Sequence, residues 1–407
     1  MNIVKLTCVL LWILVASDAW ATDVGPGDIS GTWSLAGSPY IVQGNITVPD
    51  MGQLVIEPGV SVFFDGPYVL YVDGILSAVG AEGDSILFSR NTGRTDWGHI
   101  EFDYNSNTGS TLQYCRIEYG NAIQLEAPYR TDGGGIYAMT SFNLSISHCS
   151  IEHCRADKGG GVYLHNKGTL EQCVIRYCSA EAQWQNGGGG ALIRGDSSIL
   201  NCEVSHNSAE FVGGGITLEY GFCVVSNCVI SDNQVPLNGH GGGLAFMSTW
   251  GEVSNNLIYN NAAGSTSGSE GGGAYFWNSG GGLFHHNTLV GNRAPKGAGL
   301  AYGFSTLSMD HCIVAFNEGD ATYDLFDGDA TFDYFCSFGN TGSDVLVGTA
   351  TNTVNEHPLF CDYGAENFTL CADSPCLPDG IGAQGQGCGN CWPATETATW
   401  GRLKTLY

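Results

Sequence analysis

Residues 187–247 read GGGGALIRGDSSILNCEVSHNSAEFVGGGITLEYGFCVVSNCVISDNQVPLNGHGGGLAFM. Two phrases share one beat in this stretch. Glycine runs ending at Gly190, Gly215 and Gly243 each hand over to an apolar residue, in ALI, ITL and LAF. Between them, CEVSHN and CVISDN follow one pattern, a Cys or Asn, an apolar residue two places on, and a closing Asn. Working outward, the glycine step also ends at Gly135, Gly161, Gly273 and, as GAG, Gly299, with gaps of 26, 29, 25, 28, 30 and 26 residues along the series. The second phrase closes at Cys154, Cys178, Asn207, Asn233, Asn261, Asn292 and Asn317.

Two phrases locked to one period describe one structural unit repeated. Apolar residues alternate after each glycine step, as in Val162 and Leu164 or Ile216 and Leu218, which is the period of a strand. A unit of two or three short strands cannot bury its own apolar face, so it stacks on its neighbours, and strand on equivalent strand gives parallel ladders. The handedness of parallel crossovers makes the winding right-handed. The expected fold class is therefore all-β, a right-handed single-stranded parallel β-helix (a solenoid) with N- and C-terminal caps. In this register the first and third residues after each glycine step point inward, and the second and fourth point outward. The closing Asn residues should stack in an inward turn with their amides bonded along the column.

Composition agrees with short elements and many turns. The 407 residues include 60 glycines, about twice the usual share, and only 13% are charged. With 14 Lys and Arg against 40 Asp and Glu, the formal charge is -26, which argues against a nucleic-acid partner and against polyanions unless a cation intervenes. Residues 1–21 read as an export signal, with Lys5, an apolar run from Leu6 to Ala16 and the small-x-small site Ala19-Trp20-Ala21. The expected product is secreted or held at the cell surface, with no membrane span once the signal is removed. The remaining segments are expected to be N-terminal capping coils at 22–105, regular rungs at 106–317, an irregular C-terminal cap at 318–393 and a loose tail at 394–407.

The glycine step and the apolar-x-x-Asn phrase resemble the bacterial right-handed parallel β-helix repeat family, and in particular the repeats of polymorphic outer-membrane proteins. The stretch Gly31–Phe64 and the closing stretch His357–Cys376 are similar to the first and last coils of such secreted proteins. The resemblance implies a scaffold and leaves the reaction open, because this architecture carries adhesins as well as lyases, hydrolases and epimerases.

The outward positions carry the candidate chemistry. The fourth residue after each glycine step runs Met139, His165, Arg194, Glu219, Met247, Trp277 and Gly303, and the second runs Tyr137, Tyr163, Leu192, Thr217, Ala245, Tyr275 and Ala301. His165, Arg194 and Glu219 thus fall one rung apart as a base, a cation and an acid, the parts of lyase or hydrolase chemistry and equally of a solvated ion-pair ladder. Tyr163, Trp184, His240 and Trp277 are the candidate ligand-binding residues, with Trp184 and His240 on the loops whose length varies between rungs. An exposed Arg194 implies that Arg194→Ala leaves stability within about 0.5 kcal/mol. The expected role is a binding or adhesive scaffold towards an extracellular glycan or a cell-surface component, with a polysaccharide lyase, epimerase or glycoside hydrolase as the alternative.

No cofactor or metal is expected. The acidic run Asp320, Asp324, Asp327, Asp329 and Asp333 leaves calcium as the cation to consider, although it lacks EF-hand spacing. Cys149, Cys173, Cys202 and Cys228 share one repeat position, where buried free thiols are favoured over disulfides. Cys371, Cys376, Cys388 and Cys391 read as disulfides stapling the cap, or as a four-thiolate zinc site.

Overall fold

A computed structural model of the chain describes residues 21–102, 109–126, 128–139, 144–182 and 187–391. The expected export signal except for its last residue, Ala21, together with Trp184 and the expected tail 394–407, lies outside the described residues. The chain winds as a parallel β-helix. Among the described residues, three long parallel sheets hold 13, 12 and 13 strands, and a short fourth sheet holds five. A coil that follows a glycine step starts with a strand such as Ile216–Glu219 (sheet 1) and continues through Phe222–Ser226 (sheet 2) and Val229–Ser231 (sheet 3), and five such coils return through a strand of the short sheet, such as Gln234–Val235. All three sheets already contain strands at the first coil, from Thr22–Val24, Gly27–Asp28 and Gly31–Trp33.

The seven glycine steps form one column. Gly135 N–H donates to Gly161 O at 2.8 Å, Gly161 to Gly190 at 3.0 Å, and Gly190 to Gly215 at 2.8 Å, and the strands that follow pair without slip from Ile136 to Gly303. The glycines do different jobs. The first of each triple has a positive φ, as in Gly213 at 67°, and a Cβ on the second would sit 2.2 Å from the carbonyl of the next rung at Gly134 and Gly189. Backbones pack directly on one another here, so this place holds Gly in six steps and nothing larger than Ala, at Ala298, in the seventh.

Residues one and three after the step line the core, including Ile136, Leu164, Ile216, Phe246 and Tyr302, none more than 1% exposed. Two sharp corners per coil each place a residue at positive φ just before an inward Cys or Asn. His206 precedes Asn207, Asp232 precedes Asn233, and Asn260 precedes Asn261. In the first ladder Asn207, Asn233, Asn261, Asn292, Asn317 and Asn340 bond Nδ2 to Oδ1 at 2.8–3.1 Å, one rung after another. Each Oδ1 also accepts the backbone N–H of the corner residue one rung back, Cys178 for Asn207 and the preceding Asn for the others, and each Nδ2 also donates to a core-strand carbonyl, as Asn233 does to Val204 O at 2.8 Å. Asn256 and Asn287 make a second, shorter ladder at the other corner. Cysteines occupy the same corner positions elsewhere. Cys228 N–H donates to Asn256 Oδ1 at 2.8 Å, while Cys202 N–H meets Cys228 Sγ at 3.4 Å, so a thiol stands where an amide stands one rung on.

Among the described residues eleven cysteines are free and buried. Burial pushes the Cys178 and Cys312 thiols well up, which keeps them protonated and unreactive. The cap differs from expectation in its cysteine set. Its disulfides are Cys361–Cys388 and Cys371–Cys391, with Cα atoms 6.0 and 5.6 Å apart. Cys376 is buried instead with Phe360, Leu370 and Ile381 against Leu257, Val290 and Ile313, on the outer side of sheet 3.

Ile216 is fully buried between Ala191 and Leu244. Ile216→Asp inserts an unpaired carboxylate between rungs and is expected to cost several kcal/mol, read as a lowered denaturation midpoint. A midpoint equal to wild type overturns the inward register.

Candidate functional site

The outer face of sheet 1 is built by the fourth residue after each glycine step. Register sets His165 beside Arg194, Arg194 beside Glu219, Glu219 beside Met247 and Met247 beside Trp277. The second-position column is not an open face, contrary to the sequence reading. Tyr163 is 5% exposed and Thr217 fully buried, because the segments leading into each glycine step fold over them, as when Thr217 Oγ1 bonds Val212 O at 3.3 Å. Tyr163 stacks on Tyr137 with centroids 5.0 Å apart, and burial raises its hydroxyl pKa to about 12. It supports the face from beneath and offers no platform to a ligand.

Glu219 also departs from the expected solvent-facing acid. It is 1% exposed and accepts hydrogen bonds from the Arg194 guanidinium. Burial opposes the charge on Arg194, but the Glu219 carboxylate outweighs it and raises the Arg194 pKa overall. The guanidinium also lies 5.6 Å from the Tyr163 ring and 5.5 Å from the Tyr220 ring. His165 is half-buried, and its Nδ1 has no hydrogen-bond partner among the described residues. Burial first, and the Arg194 charge second, push its pKa below the ordinary 6.5. The arrangement is therefore a neutral imidazole next to a cation already committed to a buried carboxylate.

Two of the other candidates meet three rungs on. His240 and Trp277 line one cavity of about 350 Å³ with Tyr275, Met247, Glu270 and Phe326. The His240 ring stacks on Tyr275 at 4.8 Å and meets Phe211 edge-on at 5.7 Å. His240 Nδ1 lies 3.1 Å from Glu270 Oε2, close enough for an ion pair, yet it is buried and makes no properly directed hydrogen bond. Glu270 Oε1 lies 3.4 Å from Lys296 Nζ. Trp277 packs edge-on against Phe304 at 5.1 Å and Phe326 at 5.9 Å, and those two rings, both about half exposed, stack at 5.2 Å.

Glu270, Lys296 and Phe326 were not singled out by sequence. His240, Glu270 and Lys296 each precede the first glycine of a step, and the bridges His240 to Glu270 and Glu270 to Lys296 put them one rung apart. That position was readable. Phe326 comes from the coil after the last glycine step, where no phrase repeats. Asp324 of the acidic run accepts from the backbone N–H groups of Phe326 and Gly328 at 3.2 and 3.1 Å, shaping the turn that carries this ring.

Two outcomes follow from the Arg194 geometry. Arg194→Ala strands a buried carboxylate and should cost about 1–3 kcal/mol, more than an exposed side chain would, with the Arg194→Ala/Glu219→Ala double variant recovering part of the loss in a denaturation cycle. An unchanged midpoint for Arg194→Ala removes the pair from the account. His165 titrates lower when folded than when unfolded, so the stability it contributes is intact above about pH 6.5 and is lost as pH falls below that value. Melting temperatures at pH 7.5 and about 5.5 should differ less for His165→Leu than for wild type; an equal difference contradicts the shift.

Among solved structures the chain is similar to the periplasmic alginate epimerase AlgG, at 10% identity over 81% of this chain and 84% of that one, with a TM-score of 0.45. A point variant of that epimerase gives 10% identity, 81% and 85% coverage and a TM-score of 0.49, and a double variant 11%, 82%, 86% and 0.45. No curated protein matches the sequence. The family described as the right handed beta helix region matches residues 77–294, more than half of the chain, and with its three parallel sheets and unbroken rung register this protein belongs to that family.

Proposed function

We propose that this chain is an exported binding scaffold whose ligand is a neutral or weakly charged polysaccharide, held along the outer face of sheet 1 at the cavity of Trp277 and His240. The observation that carries the reading is the cavity itself. An indole backed by Phe304 and Phe326 supplies the apolar face on which a sugar ring stacks, and the His240, Glu270 and Lys296 row supplies polar groups at its rim. Parallel rungs set such groups about 4.8 Å apart, so a polymer can be followed along the rod. The net charge of -26 disfavours a polyanionic glycan without a bridging cation. Export rests on the signal-like residues 1–21.

The catalytic alternative draws on one observation, the two buried ring nitrogens His165 Nδ1 and His240 Nδ1 that lack hydrogen-bond partners among the described residues and sit on this face. A neutral imidazole beside Arg194 has the form of a general base with a cation to stabilise a developing anion.

A panel of neutral and acidic polysaccharides separates the readings. The mature protein should bind a neutral glycan by titration calorimetry without creating new reducing ends or the ultraviolet absorbance of unsaturated sugars. Trp277→Ala should weaken binding about tenfold or more, while Trp250→Ala, an exposed indole on sheet 2 outside the cavity, should leave it unchanged. Turnover abolished by His165→Gln would establish the catalytic alternative. Unaltered affinity of Trp277→Ala, or no binding across the panel, overturns the proposal.

A further inference from the structure

Sheet 2 carries a second cluster, away from the cavity, that the glycan reading does not use. Three successive strands, Trp250–Ser254, Gly280–His285 and Thr306–Asp310, bring Glu252, His285 and Asp310 together, with Asp310 directly opposite His285 in register. His286 follows at the corner with φ 53°, a left-handed turn that swings its ring back towards His285. The two Nδ1 atoms face each other 3.2 Å apart. The ligand atoms of His285, His286 and Asp310 all lie within 4.8 Å of one another, and all three residues are only partly buried. The outer contacts are ordered too. His285 Nε2 lies 3.2 Å from Glu252 Oε1, and Asp310 Oδ1 lies 2.8 Å from His311 Nδ1. The His286 ring stacks on His311 at 4.7 Å, which fixes its plane.

We propose that His285, His286 and Asp310 form a site for a divalent transition-metal ion, with zinc as the reference ion. Imidazole and carboxylate donors suit zinc, copper and nickel, and two nitrogens at about 2.05 Å from a tetrahedral ion are themselves about 3.3 Å apart, close to the separation seen here. When His285 Nε2–H donates to Glu252, Nδ1 keeps its lone pair and points at the shared point, which is the usual second layer of a metal-bound histidine. Without an ion, only one of the two facing nitrogens can donate to the other. Three protein ligands leave a coordination position open to water or to a donor from a bound molecule.

The test uses untagged, chelator-stripped, oxidised full-length mature protein titrated with zinc chloride by calorimetry, and with copper(II) followed by electron paramagnetic resonance. One zinc per chain is expected, with nitrogen hyperfine structure in the copper spectrum. His285→Asn/His286→Asn should abolish both signals. Glu252→Gln should weaken zinc binding about 10–100-fold with an unchanged melting temperature in the absence of metal, which separates a positioning role from a structural one. Absence of binding by the wild type overturns the proposal. So does zinc retained by the double histidine variant, since the ion would then belong elsewhere, for example to the cap cysteines.

Discussion

A corner turned inside a solenoid leaves backbone N–H and C=O groups facing a dry interior, and the whole rod depends on satisfying them. The asparagine ladder does this. Each amide takes the N–H of the corner residue one rung back, gives one hydrogen to a strand carbonyl of that rung, and gives another to the next amide. Replacing one amide would orphan groups on two rungs, at roughly 1–3 kcal/mol for each buried group. The glycine steps are the companion constraint. They let backbones approach more closely than larger side chains allow, with Ala298 the largest residue in the middle of a step, so the coil closes on itself at the same place each time.

These two constraints explain why the fold could be read from the sequence. Asn and Gly are demanded by backbone geometry at fixed places in the coil, so their spacing survives variation in everything else. The inward residues follow by counting one and three from Gly215 or Gly243. Cysteine's substitution for asparagine was visible as a shared column, Cys202 and Cys228 in line with Asn256, but the reason needs coordinates: the thiol fills the corner and receives the same N–H.

The outer face was legible only in part. Counting placed His165, Arg194, Glu219 and Trp277 on one line, because strand register alone sets that line. It could not say that Tyr163 and Thr217 are covered, since alternation gives a side and does not reveal what packs on it. Nor could it show that Glu219 is buried beneath its bond with the Arg194 guanidinium. Phe326 lies in a coil with no repeating phrase. The cap pairing was equally hidden, since four thiols admit three pairings and Cys361 stands outside the Cys371 to Cys391 cluster.

The cap gives the rod two unequal ends. Among the described residues the other coils stack on the coils beside them, but the segment around Phe360, Phe368 and Ile381 lies across the side of sheet 3 and touches strands from Leu257 to Cys336, with Gly382 N–H donating to His311 O and Ala383 N–H to Thr288 Oγ1. A brace spanning several layers, itself closed by two sulfur bridges, makes those layers open together or not at all. The first coils, beginning at Thr22, have no such brace among the described residues. Under pulling force the molecule should peel layer by layer from its beginning and halt at the braced end, so the cavity at Trp277 sits in the part that fails last.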